Sequence, residues 1–231
     1  MKNFYKIAMI SCALAFTACD DSTSASDNGG NGGNGGSNSS CVEETAAVEC
    51  PTLETPGTIM DLRDCQHYKV ATFGTQTWMT QNLNYSSCSI NGQSWCYDDK
   101  AENCSTYGRL YSWTAAMGID SKFQKEYTTL SGTQRGICPE GFHIPSDAET
   151  DTLIAFLEDH EDDFAYMLSG EKTFTGFADL GRKAYFWTAD EDHSEFGSER
   201  NARIWTYSET FGVGGGSVFK DSGLSIRCVK D

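Results

Sequence analysis

Positive charge is scarce in this chain: 17 Lys and Arg stand against 33 Asp and Glu over 231 residues, a formal net charge of −16. A chain of that sign repels phosphate backbones, so nucleic acid is excluded as a partner, and so is binding to an anionic membrane surface through side chains. Long apolar runs are missing too. The longest, "IAMISCALAFTA" (Ile7 to Ala18), has twelve residues, too few to span a bilayer as a helix. None of the cysteines forms a C-x-x-C pair, which argues against a zinc ribbon or a thioredoxin-like redox motif. There is no G-x-S-x-G setting for a serine nucleophile, and the glycine-rich "GVGGGS" (Gly212 to Ser217) lacks the Lys-Ser/Thr of a phosphate loop and reads as a wide hairpin end. Carboxylates abound, but nothing in their spacing marks the fixed pair that glycoside hydrolysis needs. No internal repeat is evident.

What is present begins with an export signal. Lys2 and Lys6 precede the apolar run, which ends in "FTAC" and Cys19. That ending resembles a bacterial lipobox, in which the cysteine is acylated and becomes the first residue of the mature protein. The expectation is a signal peptide over residues 1–18, lipidation at Cys19, and a lipid-anchored protein on the outer side of the bacterial envelope, at the outer membrane or cell surface. Residues 20–40, "DDSTSASDNGGNGGNGGSNSS", hold almost nothing apolar and read as a flexible tether with a reach of about 25 Å. Loss of residues 1–18 removes two basic and no acidic side chains, leaving 15 against 33 and a mature charge near −18.

Beyond Cys12 in the signal and Cys19 in the lipobox, eight cysteines remain: Cys41, Cys50, Cys65, Cys88, Cys96, Cys104, Cys138 and Cys228. An even number in an exported chain indicates a disulfide framework. Short separations select Cys41–Cys50 and Cys96–Cys104, a strand pair can bring Cys65 to Cys88, and Cys138 with Cys228 remains. This matters for "GICPEGFHIPSDAET" (136–150), where Cys138 precedes His143 by five residues. A nucleophilic cysteine must be a free thiolate. If Cys138 is bonded to Cys228, His143 has nothing to activate.

Residues 41–59 read as a lead-in and residues 60–231 as a single domain. "YKVATFGTQTWM" predicts a hairpin turning at Gly74-Thr75, with Trp78 and Met79 entering the core. "YGRLYSWTAAMG" (Tyr107 to Gly118) has helical spacing and stops at a glycine. Ser146 and Glu149 form a capping box before an apolar helix face at Leu153, Phe156 and Leu157, and the acidic residues 159–163 should fray that helix's end. "AYFWTADE", "ARIWTYSET", "GGSVFKD" and "LSIRCVKD" read as strands. Two helices followed by clustered strands indicate an α+β fold with a mostly antiparallel sheet. Trp78, Trp113 and Trp187 lie in apolar patterns and are assigned to the core. Trp95 and Trp205 are less clearly buried and form the candidate ligand face. The acidic run Asp190 to Glu195 offers oxygen ligands for calcium but is read as a solvated loop. No catalytic residue, metal site or cofactor is assigned.

Five motifs, "FGTQTWMTQNLNY", "WCYDDKAENCSTYGRLYSWTAAM", "GICPEGFHIPS", "AYFWTADE" and "KDSGLSIRCVKD", occur in this order. Together they resemble the Fibrobacter succinogenes major paralogous domain, a family of secreted and lipid-anchored bacterial proteins, over about residues 60–231. Phe142 stands where the family usually has Trp, and Thr188 where Ser is usual. Cys65 and Cys88 look like additions to its cysteine set, consistent with their pairing. The order of motifs also resembles the C-type-lectin-like fold and its sulfatase-modifying branch. That resemblance implies a long-range disulfide onto the final strand, in agreement with Cys138–Cys228. The redox cysteine pair of the sulfatase-modifying enzymes is missing, since only Cys228 lies in the last ninety residues. The calcium-dependent sugar motifs E-P-N, Q-P-D and W-N-D are missing as well. The expected function is a non-catalytic surface module for adhesion or binding, with polysaccharide or a protein as ligand. The alternatives are an extracytoplasmic enzyme acting on polysaccharide and a purely structural envelope protein.

Overall fold

The hairpin at Gly74 builds the first sheet. In the computed structural model, which describes residues 49–231 apart from 52–54, 91–92 and 159–163, β2 (Gln66–Phe73) and β3 (Gln76–Met79) pair antiparallel around that turn. Gly74 has φ 59°, the left-handed conformation that glycine adopts without strain. β1 (Thr58–Asp61) adds to the outer side of β2. On the other side β3 meets β12 (Val229–Lys230), which in turn pairs with β6 (Phe142–His143), so the order is β1-β2-β3-β12-β6. β2 feeds two cores. Tyr68 and Val70 pack into one, and Ala71 and Phe73 into the other.

The second sheet has the order β11-β10-β9-β7-β8, built from β7 (Ser169–Thr173), β8 (Gly176–Leu180), β9 (Lys183–Glu191), β10 (Asn201–Ser208) and β11 (Gly212–Phe219). All its pairs are antiparallel except β7 with β9. "GVGGGS" is therefore not a hairpin end but most of an eight-residue strand, since its alternate residues meet β10 in unbroken register from Ser208↔Gly212 to Asn201↔Phe219. A third pair, β4 (Ser94–Trp95) and β5 (Leu110–Tyr111), completes the strands.

Three α-helices lie among these strands. α1 (Ala101–Tyr107) was not anticipated, because its sequence AENCSTY is polar and short. α2 (Trp113–Met117) is the latter half of the helix expected over Tyr107–Gly118; the first half is strand. The Ser112 hydroxyl accepts from Ala115 N–H and starts the helix there, and Gly118 ends it in the left-handed region. α3 (Asp147–Leu157) carries both halves of the Ser146–Glu149 capping box, an arrangement worth about 1 kcal/mol. The fraying expected at 159–163 lies outside the described residues.

The segment between β11 and β12 threads both cores rather than forming one long strand. Leu224 bridges Tyr111, Ser225 bridges Phe186, and Leu224, Ile226 and Cys228 are buried. One core gathers Trp113, Trp187, Met79, Leu83 and the Cys138–Cys228 disulfide. The other gathers Trp78, Phe164, Phe186 and Trp205 beneath α3. The architecture is α+β, with mostly antiparallel sheets stapled by disulfides.

The disulfides correct two of the four expected pairs. Cys96–Cys104 and Cys138–Cys228 are formed, the latter across 90 residues. Cys50 bonds to Cys65, not to Cys41, and Cys65 is therefore not the partner of Cys88. The β1–β2 connection explains this. It turns Cys65 through φ 58° at the foot of the hairpin and brings its Cα to 5.3 Å from that of Cys50 in the lead-in. Cys88 is disulfide-bonded as well, and Cys41 lies outside the described residues.

Candidate functional site

An open cleft of about 510 Å³ lies where the 128–134 segment, β6, the start of α3 and the end of β9 meet. Its wall is mostly polar: Thr128, Ser131, Thr133, Gln134, Ser146, Glu149, Asp190 and Glu191, with His143 and His193, while Leu130, Ile144 and Ala189 supply an apolar part. Three stretches of chain, 128–134, 143–149 and 189–193, supply these groups. Gln134 is joined to Ile144 by a β-bridge, and Ala189 N–H donates to Pro145 O at 2.7 Å, which closes the seam between β6 and β9.

His143 is fixed from both sides. Nδ1 lies 2.7 Å from Asp231 Oδ1 and Nε2 lies 2.9 Å from Glu149 Oε1. The second oxygen of Glu149 accepts from Ser146 N–H at 2.9 Å and from the Ser146 hydroxyl at 2.7 Å. Burial works to raise the Glu149 carboxyl, but these donors and His143 outweigh it and hold the group below its usual range. With both ring nitrogens held against carboxylates, neither is free to take a proton from a substrate. Cys138, the nucleophile that a Cys–His reading requires, is bonded to Cys228 and buried. The pair in "GICPEGFHIPS" is a structural corner: a staple behind, and a His clamp joining the start of α3 to Asp231.

The acidic run is more than the solvated loop that was expected. Asp190 accepts from Asp147 N–H at 2.6 Å, and Asp147 in turn pairs with Arg203 at 2.7 Å. Glu191 accepts from Thr128 N–H at 2.9 Å and from its hydroxyl at 2.7 Å, and forms an ion pair with the buried Lys220. Asp192 is buried and accepts from the Ser217 hydroxyl at 2.5 Å and from Ser194 N–H at 3.1 Å. Hydrogen bonds from Ser217 and Ser194 hold its carboxyl below the usual range. Asp190 is exposed, Glu191 and Asp192 are covered, and from His193 onward the run opens to solvent again. His193 stacks on Tyr127 with ring centroids 4.5 Å apart, forming an exposed aromatic rim beside the cleft.

The aromatic residues separate clearly. Trp78, Trp113 and Trp187 are fully buried, in keeping with their core assignment. Trp205 is buried too, at 1 % exposure, and is removed from the ligand face. It stacks on Phe186 at 4.2 Å and meets Phe164 edge-on, because its place on β10 faces α3 and not solvent. Trp95 is half-buried and sits away from the cleft, with the Lys172 ammonium 4.5 Å from its ring and Gly223 packed against it. Sequence reasoning thus placed the ligand face on tryptophans, whereas the concave polar surface is made by hydroxyls, amides and carboxylates. Two features singled out in the sequence lie there, His143 beside the capping box and the acidic run from Asp190, and neither was read as part of a ligand face.

The family comparison falls on the segments that build this corner. Residues 71–165 match the model of the Fibrobacter succinogenes major domain. Over that stretch the chain is similar to this family's domain. The matched stretch includes β3, both faces of the Cys138–His143 corner, and all of α3. No curated protein and no solved structure matches the chain.

Proposed function

We propose that this protein is a non-catalytic binding module displayed on the bacterial surface by a lipid at Cys19, and that the cleft receives a hydroxyl-rich ligand, with polysaccharide as the leading class. The observation that carries the reading is the cleft itself. Some 510 Å³ is lined by hydroxyl, amide and carboxylate side chains, with the Tyr127–His193 ring pair at its rim. A sugar offers hydroxyls to the first and an apolar ring face to the second. Inert chemistry at the same place supports binding over turnover: Cys138 is oxidised and His143 is spoken for at both nitrogens. The C-type-lectin-like reading of the fold belongs to the same proposal, supported by a long-range disulfide closing beside the final strand.

A second reading, an enzyme acting on polysaccharide, has one feature in its favour. On the β7–β8–β9 face the Tyr185 hydroxyl donates to Asp179 at 2.7 Å beside Glu171. Burial and then the neighbouring Asp179 push the Glu171 carboxyl above its usual range. An acid and a base of different strength are what glycoside hydrolysis requires. A pull-down on insoluble polysaccharide followed by a glycan array separates the readings. Retention without release of reducing sugar, weakened about tenfold by Gln134→Ala or His193→Ala, is the expected result. Sugar release abolished by Glu171→Gln would replace it with the enzyme. Mass spectrometry of the mature protein checks the anchor: the first residue should be an acylated Cys19.

A further inference from the structure

β11 is an edge strand that lacks the usual protections. It pairs with β10 along all eight residues, and no other described strand flanks it. Natural edges are kept short, charged, bulged or interrupted by proline, because a row of free backbone groups invites another chain. The remaining edges here follow that rule: β1 has four residues, β6 has two, and β8 carries Asp179 at φ 64°. β11, GVGGGSVF, has none of these devices.

Two of the glycines, Gly215 and Gly216, are not demanded by the fold. Gly214, Gly215 and Gly216 have no left-handed φ. A Cβ on Gly215 would approach nothing nearer than Ile204 O at 3.7 Å, and one on Gly216 would meet nothing within 4 Å. Glycine inside a strand weakens it, and where the chain itself has room for a side chain the bareness serves something approaching from outside.

The flanking residues say what approaches. Within residues 211–219, F-G-V-G-G-G-S-V-F, Phe211 and Phe219, and Gly214 and Gly216, stand symmetrically about Gly215. Phe211 is 81 % exposed and Phe219 47 %. We propose that β11 pairs antiparallel with β11 of a second copy of this chain, about a two-fold axis at Gly215, joining the two sheets edge to edge. In that register Phe211 of each copy lies opposite Phe219 of the other, and directly opposed residues of an antiparallel pair project to the same face, where aromatic pairs are favourable. Charge favours the same site. The chain carries a formal net −16, yet this nine-residue stretch has no ionisable side chain, so two copies meet here without opposing like charges. One strand pair with four phenylalanines is smaller than a standard interface, so the association is weak and concentration-dependent. It is independent of what fills the cleft.

Sedimentation velocity of the purified full chain across micromolar to millimolar concentrations tests this. The wild type should pass from monomer to dimer. Phe211→Lys/Phe219→Lys places lysines opposite each other twice and should weaken dimerisation about tenfold or more, whereas Phe211→Lys/Phe219→Glu opposes unlike charges and should restore it. Both sites are exposed, so thermal melting should be unchanged. Gly215→Cys should give a disulfide-linked dimer under mild oxidation. A wild type that stays monomeric throughout overturns the proposal. So does a dimer indifferent to the lysine pair, or one that Gly215→Cys fails to cross-link.

Discussion

Two cations are buried at opposite ends of the segment that threads the core, and they are held in different ways. Lys220 is fully buried and donates to Phe123 O at 3.0 Å, to Glu126 O at 2.9 Å and to the Glu191 carboxylate, beside the Trp113 and Tyr127 rings. Arg227 is equally buried, but its described acceptors are all neutral: Asn82 Oδ1 at 2.6 Å, Ala165 O at 2.9 Å and Met79 O at 3.4 Å. Phe164 and Phe186 present ring faces to it at 4.9 and 5.6 Å. Burial pushes the Arg227 guanidinium well down from its ordinary value. The delocalised, weakly hydrated guanidinium tolerates carbonyls and aromatic faces as partners, while the compact ammonium needs a counter-charge. The difference has a spatial sense. The acid that balances Lys220 is Glu191, which also lines the cleft, so the ionic end of the segment reaches the cleft and the neutral end is sealed beside the Cys138–Cys228 staple.

The comparison breaks hardest at the ionic end. Glu191→Ala leaves a buried ammonium with carbonyls alone and should cost about 3–5 kcal/mol of stability in urea titrations with the disulfides intact. The double variant Lys220→Met/Glu191→Leu removes both charges and should recover most of that loss. What remains measures Thr128, whose N–H and hydroxyl lose their acceptor, together with the Phe123 and Glu126 carbonyls, which lose their donor. If the single and double variants are equally unstable, the ion pair is not what holds this end. At the neutral end, Asn82→Ala removes the shortest bond to Arg227 and should cost about 1.5–3 kcal/mol, the range for hydrogen bonds to charged groups. A loss as large as that of Glu191→Ala would erase the distinction. Removing the staple itself, by Cys138→Ala/Cys228→Ala, should cost about 2–5 kcal/mol and free the neutral end first, visible as faster amide exchange at Ile226 and Val229.

None of this was legible in "KDSGLSIRCVKD". Lys and Arg on a short strand read as the solvent side, because long charged side chains are seldom fully buried. Their burial follows from crossing two cores, which no local pattern records. Local features came through well. The Gly74 turn, the Ser146–Glu149 box and the Cys96–Cys104 loop are set by neighbours within a few residues. The Cys50–Cys65 pair was missed because the hairpin that brings them together depends on β1, whose TIMD sequence is too short to signal a strand. Trp205 was missed because its face of β10 mixes Asn201 and Arg203 with Trp205 and Tyr207, and only the position of α3 makes the aromatic end of that face dry. The cleft as a whole was not legible, since its walls come from residues 128–134, 143–149 and 189–193.

The smallest expected effect tests whether the cleft's wall is as rigid as the core behind it. Glu149 has its folded value held below the ordinary 4.5, so its ionised form contributes stability that is complete above that value and is lost as the pH falls through the folded one. Glu149→Gln keeps the shape and can still accept from Ser146, but it loses the charge facing His143. The wild type should therefore exceed the variant by about 1 kcal/mol or less at neutral pH, an effect of capping size, and the gap should close on acidification below 4.5. The same titration in Glu191→Ala should show the same closure, because the clamp on His143 and the ion pair of Lys220 share no partner. A gap that persists at low pH would mean that Glu149 acts through packing and not through its charge, and the cleft wall would then be held as the aromatic core is held, by shape.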